Sequence, residues 1–188
     1  MANLTEAEIR AVVSQVLNKM QAAPTTDWDS THYGARKFVG IFEDMNDAIK
    51  AADAGYRAVR AMSVEQREAI ITEIRRLTRA EAPIMAELGV KETGMGRVDH
   101  KTAKHMLVAD KTPGTEDIIS NAKTGDNGLT LIEMAPFGVV GAITPSTNPS
   151  ETVICNSIGM IAAGNGVVFN PHPNAIAPSN YAVDLIHR

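Results

Sequence analysis

Hydrophobic residues recur at helical spacing through the first part of the chain. Thr5 and Glu8 form a capping-box pair at the start of residues 5–20, whose apolar positions then follow one face of a helix. Residues 21–36 have no such period and contain Pro, Gly, Thr and Asp, which is typical of a linker. A helix ahead of a linker either folds back onto the following domain or docks its apolar face in a partner's groove.

The helical spacing resumes after the linker and predicts a helical layer over residues 37–112. One helix is predicted over 43–62, and the capping-box pair Ser63 and Gln66 begins the next. The predicted buried positions of these two helices are Met45, Ala48, Ile49, Ala52, Tyr56, Val59, Ile70, Ile71, Ile74 and Leu77. The charged residues of the layer are expected to be solvated.

Proline and glycine divide the rest of the helical layer. Pro83 is predicted to lie in the first turn of a further helix, because a proline there loses no helical hydrogen bond. Gly94 or Gly96 is expected to close that helix, since glycine adopts the left-handed conformation in which many helices end.

The hydrophobic pattern changes near residue 113. Two short apolar runs flank TGDNG, whose Asp, Asn and Gly accept the positive φ of a tight turn, and they predict a β-hairpin over 113–136. Residues 137–188 then give strand, helix, strand and helix, which predicts an α/β fold with a parallel βαβ unit. The first strand, GVVGAIT, is expected to be buried on both faces. The chain stops inside its last predicted helix, so this unit is expected to be incomplete.

The composition argues against several classes of function. The 188 residues are 44% hydrophobic and carry a formal net charge of −4, so the chain lacks the concentrated basic surface that binds nucleic acid. No apolar run is long enough to span a bilayer, and there is no signal-peptide pattern. The one cysteine makes no internal disulfide, which indicates a reducing, cytoplasmic setting.

Two polar segments follow the predicted strands of the βαβ unit. TPSTNPS comes after the first strand and NPHPN after the second, and ligands of open parallel sheets lie beyond the carboxyl ends of the strands. The helix predicted from Ser150 directs its N-terminus at the same place. These residue types are also ordinary turn formers, and the GxGxxG fingerprint is absent, so the residues alone leave a ligand site and a plain turn both open.

A longer stretch, GVVGAITPSTNPSETVICNSIGMIAAGNGVVFNPHPNA, resembles the cofactor-binding core of the aldehyde dehydrogenase superfamily. PSTNP and NPHP more narrowly resemble its CoA-acylating branch, which includes propionaldehyde and acetaldehyde dehydrogenases of bacterial microcompartments. ELGVKETGMGR is similar to the superfamily's N-terminal region, TGDNG stands where the family has an oligomerisation hairpin, and residues 1–20 resemble an encapsulation peptide. The implied fold is the N-terminal part of an aldehyde dehydrogenase, a helical layer and a hairpin followed by an incomplete Rossmann-like βαβ unit.

The resemblance implies that NAD lies over the βαβ unit. The residues expected to bind it are Ile143, Thr144, Pro145, Ser146, Thr147, Asn170, Pro171, His172 and Pro173. Many relatives carry a lysine at the position of Asn170, and the uncharged asparagine favours NAD over NADP because it offers no positive charge to a 2′-phosphate. Asn148 is the expected donor to the reaction's oxyanion, while a gapless register places Thr147 in that column.

The cysteine is not expected to be a nucleophile, and the histidines are not expected to bind a metal. The family's nucleophilic cysteine belongs to a downstream catalytic domain, and Cys155 is predicted on a buried helix as a small hydrophobe. His100 and His105 lack the acidic partner of a zinc motif, so surface or core polar roles are expected, and no metal site is predicted.

The implied reaction oxidises propionaldehyde or acetaldehyde to acyl-CoA through a cysteine thiohemiacetal and thioester, with NAD as cofactor and coenzyme A as co-substrate. The implied partners are further copies of the chain and a microcompartment shell protein bound through residues 5–20, with a microcompartment in the cytoplasm as the location. The 188 residues alone are expected to be inactive, because the nucleophile region is absent. A non-catalytic truncated cargo or scaffold protein, and a nucleotide-binding module without redox activity, are the alternatives.

Overall fold

The computed structural model describes Ser14 and residues 38–188. The chain divides into two units, residues 1–37 and Phe38–Arg188, and all of the architecture below belongs to the second. The predicted targeting helix over 5–20 and the linker over 21–36 lie outside the described residues, apart from Ser14, which is helical and exposed.

The second unit contains a helical part, a hairpin and a βαβ part in that order. Its elements are α1 (Met45–Arg60), α2 (Val64–Thr93), α3 (Val98–Lys111), a 3₁₀ turn (Thr115–Asp117), β1 (Asn121–Gly125), β2 (Gly128–Ile132), β3 (Val139–Thr144), α4 (Pro149–Ala162), β4 (Gly166–Pro171) and α5 (Ile176–His187). The predicted fold class, a helical layer and a β-hairpin followed by a parallel βαβ unit, is therefore confirmed over the described residues.

Helix α2 is longer than the sequence pattern predicts. The capping box forms as expected, with the Gln66 amide N–H donating to Ser63 Oγ at 3.2 Å, and Gly94 closes the helix with φ +66°. The prediction that Pro83 begins a new helix is wrong, because Pro83 lies inside one continuous helix of 30 residues. An internal proline costs a helix about 3 kcal/mol. Here its neighbours Ala82 and Met85 are fully buried, so tertiary packing outweighs that cost while Pro83 itself faces outward.

The core lies where α2 packs against α3, α4 and α5. The predicted positions Ile71 and Ile74 of α2 are buried, and Ile70 and Leu77 are half-buried. The largest buried apolar side chains of the core are Ile71, Met85, Val153, Ile154, Ile158 and Leu185.

Helix α1 is less buried than predicted. Among the described residues its apolar stripe reaches only half-burial, and Met45 and Ile49 remain 50% and 45% exposed. The half-buried side of α1 rests on β4. The contact is close at Gly166, where an added Cβ would lie 2.6 Å from the Ala52 carbonyl oxygen and 3.1 Å from Tyr56 Cβ.

The strands form two separate two-stranded sheets. β1 and β2 pair antiparallel around Asp126 and Asn127, which confirms the hairpin, and all ten of their residues are exposed. The expected positive φ in TGDNG is wrong, since none of its residues has one.

β3 and β4 pair in parallel, which confirms the βαβ prediction. The prediction that β3 is buried on both faces is wrong for the described residues, since Ile143 is 84% exposed. Gly141 and Ile143 share one face of β3 and are exposed, whereas Ala142 and Thr144 on the other face are half-buried and buried, so only one face of the strand is covered.

Replacement of Gly166 by alanine tests the contact between α1 and β4. We expect Gly166→Ala to destabilise the protein by about 1–3 kcal/mol, because backbone atoms of α1 must move to admit the methyl group. Urea unfolding monitored by circular dichroism measures the change. The matched control is Gly55→Ala in α1, where a Cβ meets no described atom within 4 Å and the substitution should stabilise the helix by up to about 1 kcal/mol. Equal stabilities of the two variants would contradict the close packing.

Candidate functional site

The carboxyl ends of β3 and β4 lie side by side. In the parallel register Ile143 pairs with Asn170, and Thr144 pairs with Pro171. The two polar loops therefore leave the sheet at one edge, as the sequence predicts. The predicted cofactor residues that are exposed at this edge are Ile143, Pro145, Thr147, Asn170, His172 and Pro173, and the half-buried ones are Ser146 and Pro171.

Thr144 is the last residue of β3 and lies below this end of the sheet. Its side chain is 1% exposed, and the hydroxyl has no hydrogen-bond partner among the described residues. A buried hydroxyl without a partner costs about 1–3 kcal/mol, so this atom is a candidate contact for a ligand or a water at the strand edge.

The loop after β4 has partners of its own. His172 Nδ1 accepts a hydrogen bond from the Asn174 amide at 3.1 Å, and the His172 carbonyl accepts one from the Ala175 amide at 2.9 Å. Helix α5 then begins, and its Ala177 amide donates to Glu92 Oε2 of α2 at 2.8 Å. Burial raises the pKa of the Glu92 carboxyl above 4.5, although its bonds from the Ala177 and Ile176 amides act in the opposite direction. This loop is thus anchored at both ends.

Helix α4 begins at the end of the loop that follows β3. Asn148 is its N-cap and Pro149 its first residue, a position where proline loses no helical hydrogen bond. Asn148 makes no side-chain cap bond to α4. Its Oδ1 instead accepts a hydrogen bond from the Lys104 ammonium of α3, and the neighbouring Thr147 carbonyl accepts one from the Lys101 ammonium at 3.0 Å.

A buried polar cluster lies directly under this helix start. Lys101 and Glu151 are only 3% and 4% exposed, and the ammonium is 3.7 Å from Glu151 Oε1. Lys104 is about half exposed and its ammonium is 4.0 Å from the same oxygen. The cluster joins α3 to the first turn of α4. The expectation that the charges of the helical layer are solvated is therefore wrong for Lys101.

His105 belongs to the same cluster, and its two hydrogen bonds determine which ring nitrogen carries the proton. It is fully buried, with Nδ1 at 2.7 Å from the Lys101 carbonyl oxygen and Nε2 at 2.7 Å from Ser150 Oγ. A carbonyl oxygen only accepts, so Nδ1 carries the proton and donates, and in the neutral ring Nε2 accepts from the Ser150 hydroxyl. The core polar role expected for His105 is thus confirmed, while His100 is exposed.

The pKa of His105 is lowered below its ordinary value of 6.5 chiefly by burial. The Glu151 carboxylate and the bond to the Lys101 carbonyl raise this pKa in part, and the Lys101 and Lys104 charges lower it by a smaller amount, so burial decides the direction. The ring is therefore neutral in the folded protein near pH 7.

A groove of about 300 Å³ adjoins Asn148 between α3 and α4. Its lining residues are Lys104, Leu107, Val108, Asn148, Glu151, Thr152, Cys155 and Asn156. The predicted burial of Cys155 is wrong, since its side chain is exposed at this groove. Successive helical residues are turned by about 100°, so the residue after the buried pair Val153 and Ile154 points to the other side of α4. Its exposure removes the reason for treating Cys155 as a core hydrophobe.

Three residues of this cluster are not predicted from the sequence, namely Lys101, Lys104 and Glu151. The two lysines are three positions apart on α3, a spacing that places side chains on one helix face, and Glu151 lies in the first turn of α4, where acidic residues are favoured. Each signal is ordinary by itself, and only the pairing of α3 with α4 brings them together.

The described residues contain no group of three or more His, Cys, Asp or Glu side chains placed to hold a metal ion. Among them there is also no helix with the length and apolar character needed to cross a membrane.

A helical layer packed on a parallel βαβ unit, with polar loops at the strand ends, defines an α/β protein with a candidate ligand site at one sheet edge. The chain belongs to the aldehyde dehydrogenase family, whose model matches residues 39–188. The acetaldehyde dehydrogenase (acetylating) EutE of Escherichia coli (strain K12) is 44% identical over 185 residues, which are 98% of this chain and 38% of that protein.

Solved structures agree with this assignment. A propionaldehyde dehydrogenase from the Clostridium phytofermentans fucose utilisation bacterial microcompartment matches with a TM-score of 0.77 and 61% identity, over 80% of this chain and 34% of that one. An engineered glycolyl-CoA reductase with bound NADP+ matches with a TM-score of 0.75 and 45% identity, over 80% of this chain and 35% of that one. The resemblance to the CoA-acylating branch and the predicted fold class are confirmed. The chain spans about two fifths of the length of the curated relatives it matches.

The buried imidazole of His105 gives the folded protein a defined pH dependence. The unfolded chain takes up a proton on this ring near pH 6.5 and the folded protein does so only at lower pH, so stability should fall as the pH drops below about 6.5. We expect His105→Gln, which cannot titrate, to show a shallower fall of Tm between about pH 7 and pH 5. Calorimetric melts measure these slopes. A slope unchanged in His105→Gln would refute the assignment.

Proposed function

We propose that this chain supplies the cofactor-binding region of a CoA-acylating aldehyde dehydrogenase. The overall reaction converts a short aldehyde, NAD+ and coenzyme A to acyl-CoA, NADH and a proton, with acetaldehyde or propionaldehyde as substrate. The observation that carries the proposal is the position of Asn148. Asn148 lies at the N-terminus of α4, near the carboxyl ends of the strands, where ligands of parallel sheets bind, and beside an open groove. This position, in a chain that belongs to the family, supports the proposal.

Asn148 is the proposed oxyanion donor. When the nucleophilic thiolate adds to the aldehyde, the carbonyl oxygen gains negative charge, and a fixed amide N–H lowers the energy of that state. The hydride then leaves the thiohemiacetal carbon, and coenzyme A takes over the acyl group in a second step. Thr147, the alternative from the gapless register, is an exposed neighbour whose hydroxyl lies 3.5 Å from Asn148 Nδ2.

The strand edge has groups that suit a nicotinamide dinucleotide. The buried Thr144 hydroxyl has no hydrogen-bond partner among the described residues, and Asn170 is exposed near the carboxyl end of β4. Bound there, the cofactor supplies the hydride acceptor. Asn170 adds no positive charge for a 2′-phosphate, which supports NAD over NADP, although one structural neighbour is described with NADP+. The nine cofactor-binding residues named from the sequence remain predictions.

Two further parts of the proposal concern partners. Residues 5–20 are proposed to bind a microcompartment shell protein and so place the enzyme inside a microcompartment of the cytoplasm. The hairpin is proposed to join copies of the chain. Its exposed side chains Leu129, Leu131 and Ile132 are apolar, which favours burial against a partner surface.

Substitution of Asn148 tests the catalytic proposal. In the whole protein we expect Asn148→Ala to lower kcat for acyl-CoA formation by about 100- to 1000-fold, with NAD affinity little changed, because the lost donor acts on the transition state. NADH absorbance measures the rate. Asn46→Ala, at an exposed position of α1, is the matched control. A larger loss in Thr147→Val than in Asn148→Ala would support the gapless register instead, and full activity of both variants would contradict the proposed site.

Cofactor binding is tested at the other loop. The double variant Asn170→Ala, His172→Ala should weaken NAD binding by about 10-fold or more, because it removes two polar side chains from the strand edge and loosens the turn at Asn174. Isothermal calorimetry on the whole protein gives the affinity. His100→Ala removes an exposed histidine of α3 and should bind NAD normally. Unchanged affinity in the double variant would place the dinucleotide elsewhere.

A further inference from the structure

Two lysines of α3 donate hydrogen bonds to oxygens of neighbouring residues in the loop that follows β3. Lys101 donates to the main-chain carbonyl of Thr147 at 3.0 Å, and Lys104 donates to the side-chain oxygen of Asn148. The two lysines follow one another at a spacing of three residues, so both lie on the face of α3 that meets α4.

The contact with Lys104 determines how the Asn148 carboxamide is turned. An ammonium group only donates hydrogen bonds, so the amide atom that faces it must be the oxygen and not the nitrogen. The Nδ2 group is therefore turned away from Lys104. Its one partner among the described residues is Thr147 Oγ1 at 3.5 Å, a long and weak contact. The amide donor stays available to another oxygen.

We propose that Lys104 is a positioning residue for Asn148, a role that rests on the proposed function. It holds the carboxamide oxygen so that the N–H donors are presented to the carbonyl oxygen of the substrate. The positive charge of the ammonium beside the amide oxygen also polarises the amide and strengthens its N–H donors. Without this contact only the long bond to Thr147 orients the amide, and a flipped amide presents its oxygen, which repels an oxyanion.

Lys104 itself is held in place by a buried counter-charge. Its ammonium lies 4.0 Å from Glu151 Oε1, and Glu151 is only 4% exposed. That oxygen has no hydrogen-bond partner among the described residues, so its attraction is directed at the two lysine ammonium groups nearby. The chain of contacts thus runs from Glu151 through Lys104 to the Asn148 amide.

Lys104 is a better test position than Lys101. Lys101 is almost fully buried against Glu151, and its removal leaves a buried carboxylate without its nearest cation, which endangers folding. About half of the Lys104 side chain is exposed, so Lys104→Met keeps the length of the aliphatic stem and should leave the fold intact.

The decisive experiment is a double-mutant cycle between Lys104 and Asn148 in the whole protein. Lys104→Met should lower kcat/KM for the aldehyde by about 10-fold through kcat, leaving NAD affinity within about two-fold, and Lys104→Arg should restore most of the rate. In the Asn148→Ala background, Lys104→Met should change the rate by less than about two-fold, because its effect passes through the missing amide. Lys111→Met, at an exposed position of the same helix, is the control and should leave the kinetics unchanged.

The outcomes separate this role from the proposed function. If Asn148→Ala loses activity while Lys104→Met behaves like Lys111→Met, or if the two losses simply multiply, the positioning role is wrong and the oxyanion role stands. If Lys104→Met weakens NAD binding and kcat/KM by the same factor, the lysine acts on the cofactor and the positioning role is also wrong. A wild-type protein without acyl-CoA-forming activity, or full activity of Asn148→Ala, overturns the proposed function and the positioning role with it.

Discussion

The contact between Lys101 and Glu151 is the constraint on which the rest of the candidate site depends. Both charges are withdrawn from water, and they lie on different helices that are far apart in the sequence. The ammonium lies 3.7 Å from Glu151 Oε1 without a hydrogen bond between them, so the attraction is electrostatic. Removal of one partner would leave the other charge buried and uncompensated, which typically costs about 3–5 kcal/mol. The pair therefore fixes α3 against the first turn of α4. The start of α4 is also the end of the loop that follows β3, so the loop inherits this fixed position.

The aliphatic stem of Lys101 packs beside two glycines. A Cβ on Gly89 of α2 would lie 3.6 Å from Lys101 Cδ, and one on Gly96 would lie 3.4 Å from Lys101 Cε. The lysine stem therefore runs over a glycine surface and buries its methylene groups while the ammonium reaches the Thr147 carbonyl. Both distances are ordinary van der Waals contacts, so the stem is packed closely while its charge reaches the loop.

The sequence predicts regular elements well because their signals are local. The capping box at Ser63, the left-handed Gly94 and the turn in TGDNG each act within a few residues, and all three are found in the structure. Pro83 shows the limit of such signals, since the burial of Ala82 and Met85 against other helices decides the outcome and no local pattern reports it. For the candidate site, the parallel order of β3 and β4 predicts that the two loops meet. The lysines of α3 that hold one of those loops come from a contact between elements, which one-dimensional spacing does not contain.

The burial of the polar cluster suits it to a supporting role beneath the proposed site. His105 and Ser150 are both enclosed and satisfy each other, so neither presents an atom to the groove. Their role is to hold the first turn of α4 through short bonds that leave little freedom to the backbone. Only Lys104 and Asn148 reach the groove from this cluster with polar atoms that remain partly exposed. A rigid buried layer beneath a few exposed donors is the arrangement that a preorganised oxyanion site requires, because donors fixed in advance need no reorganisation when charge develops.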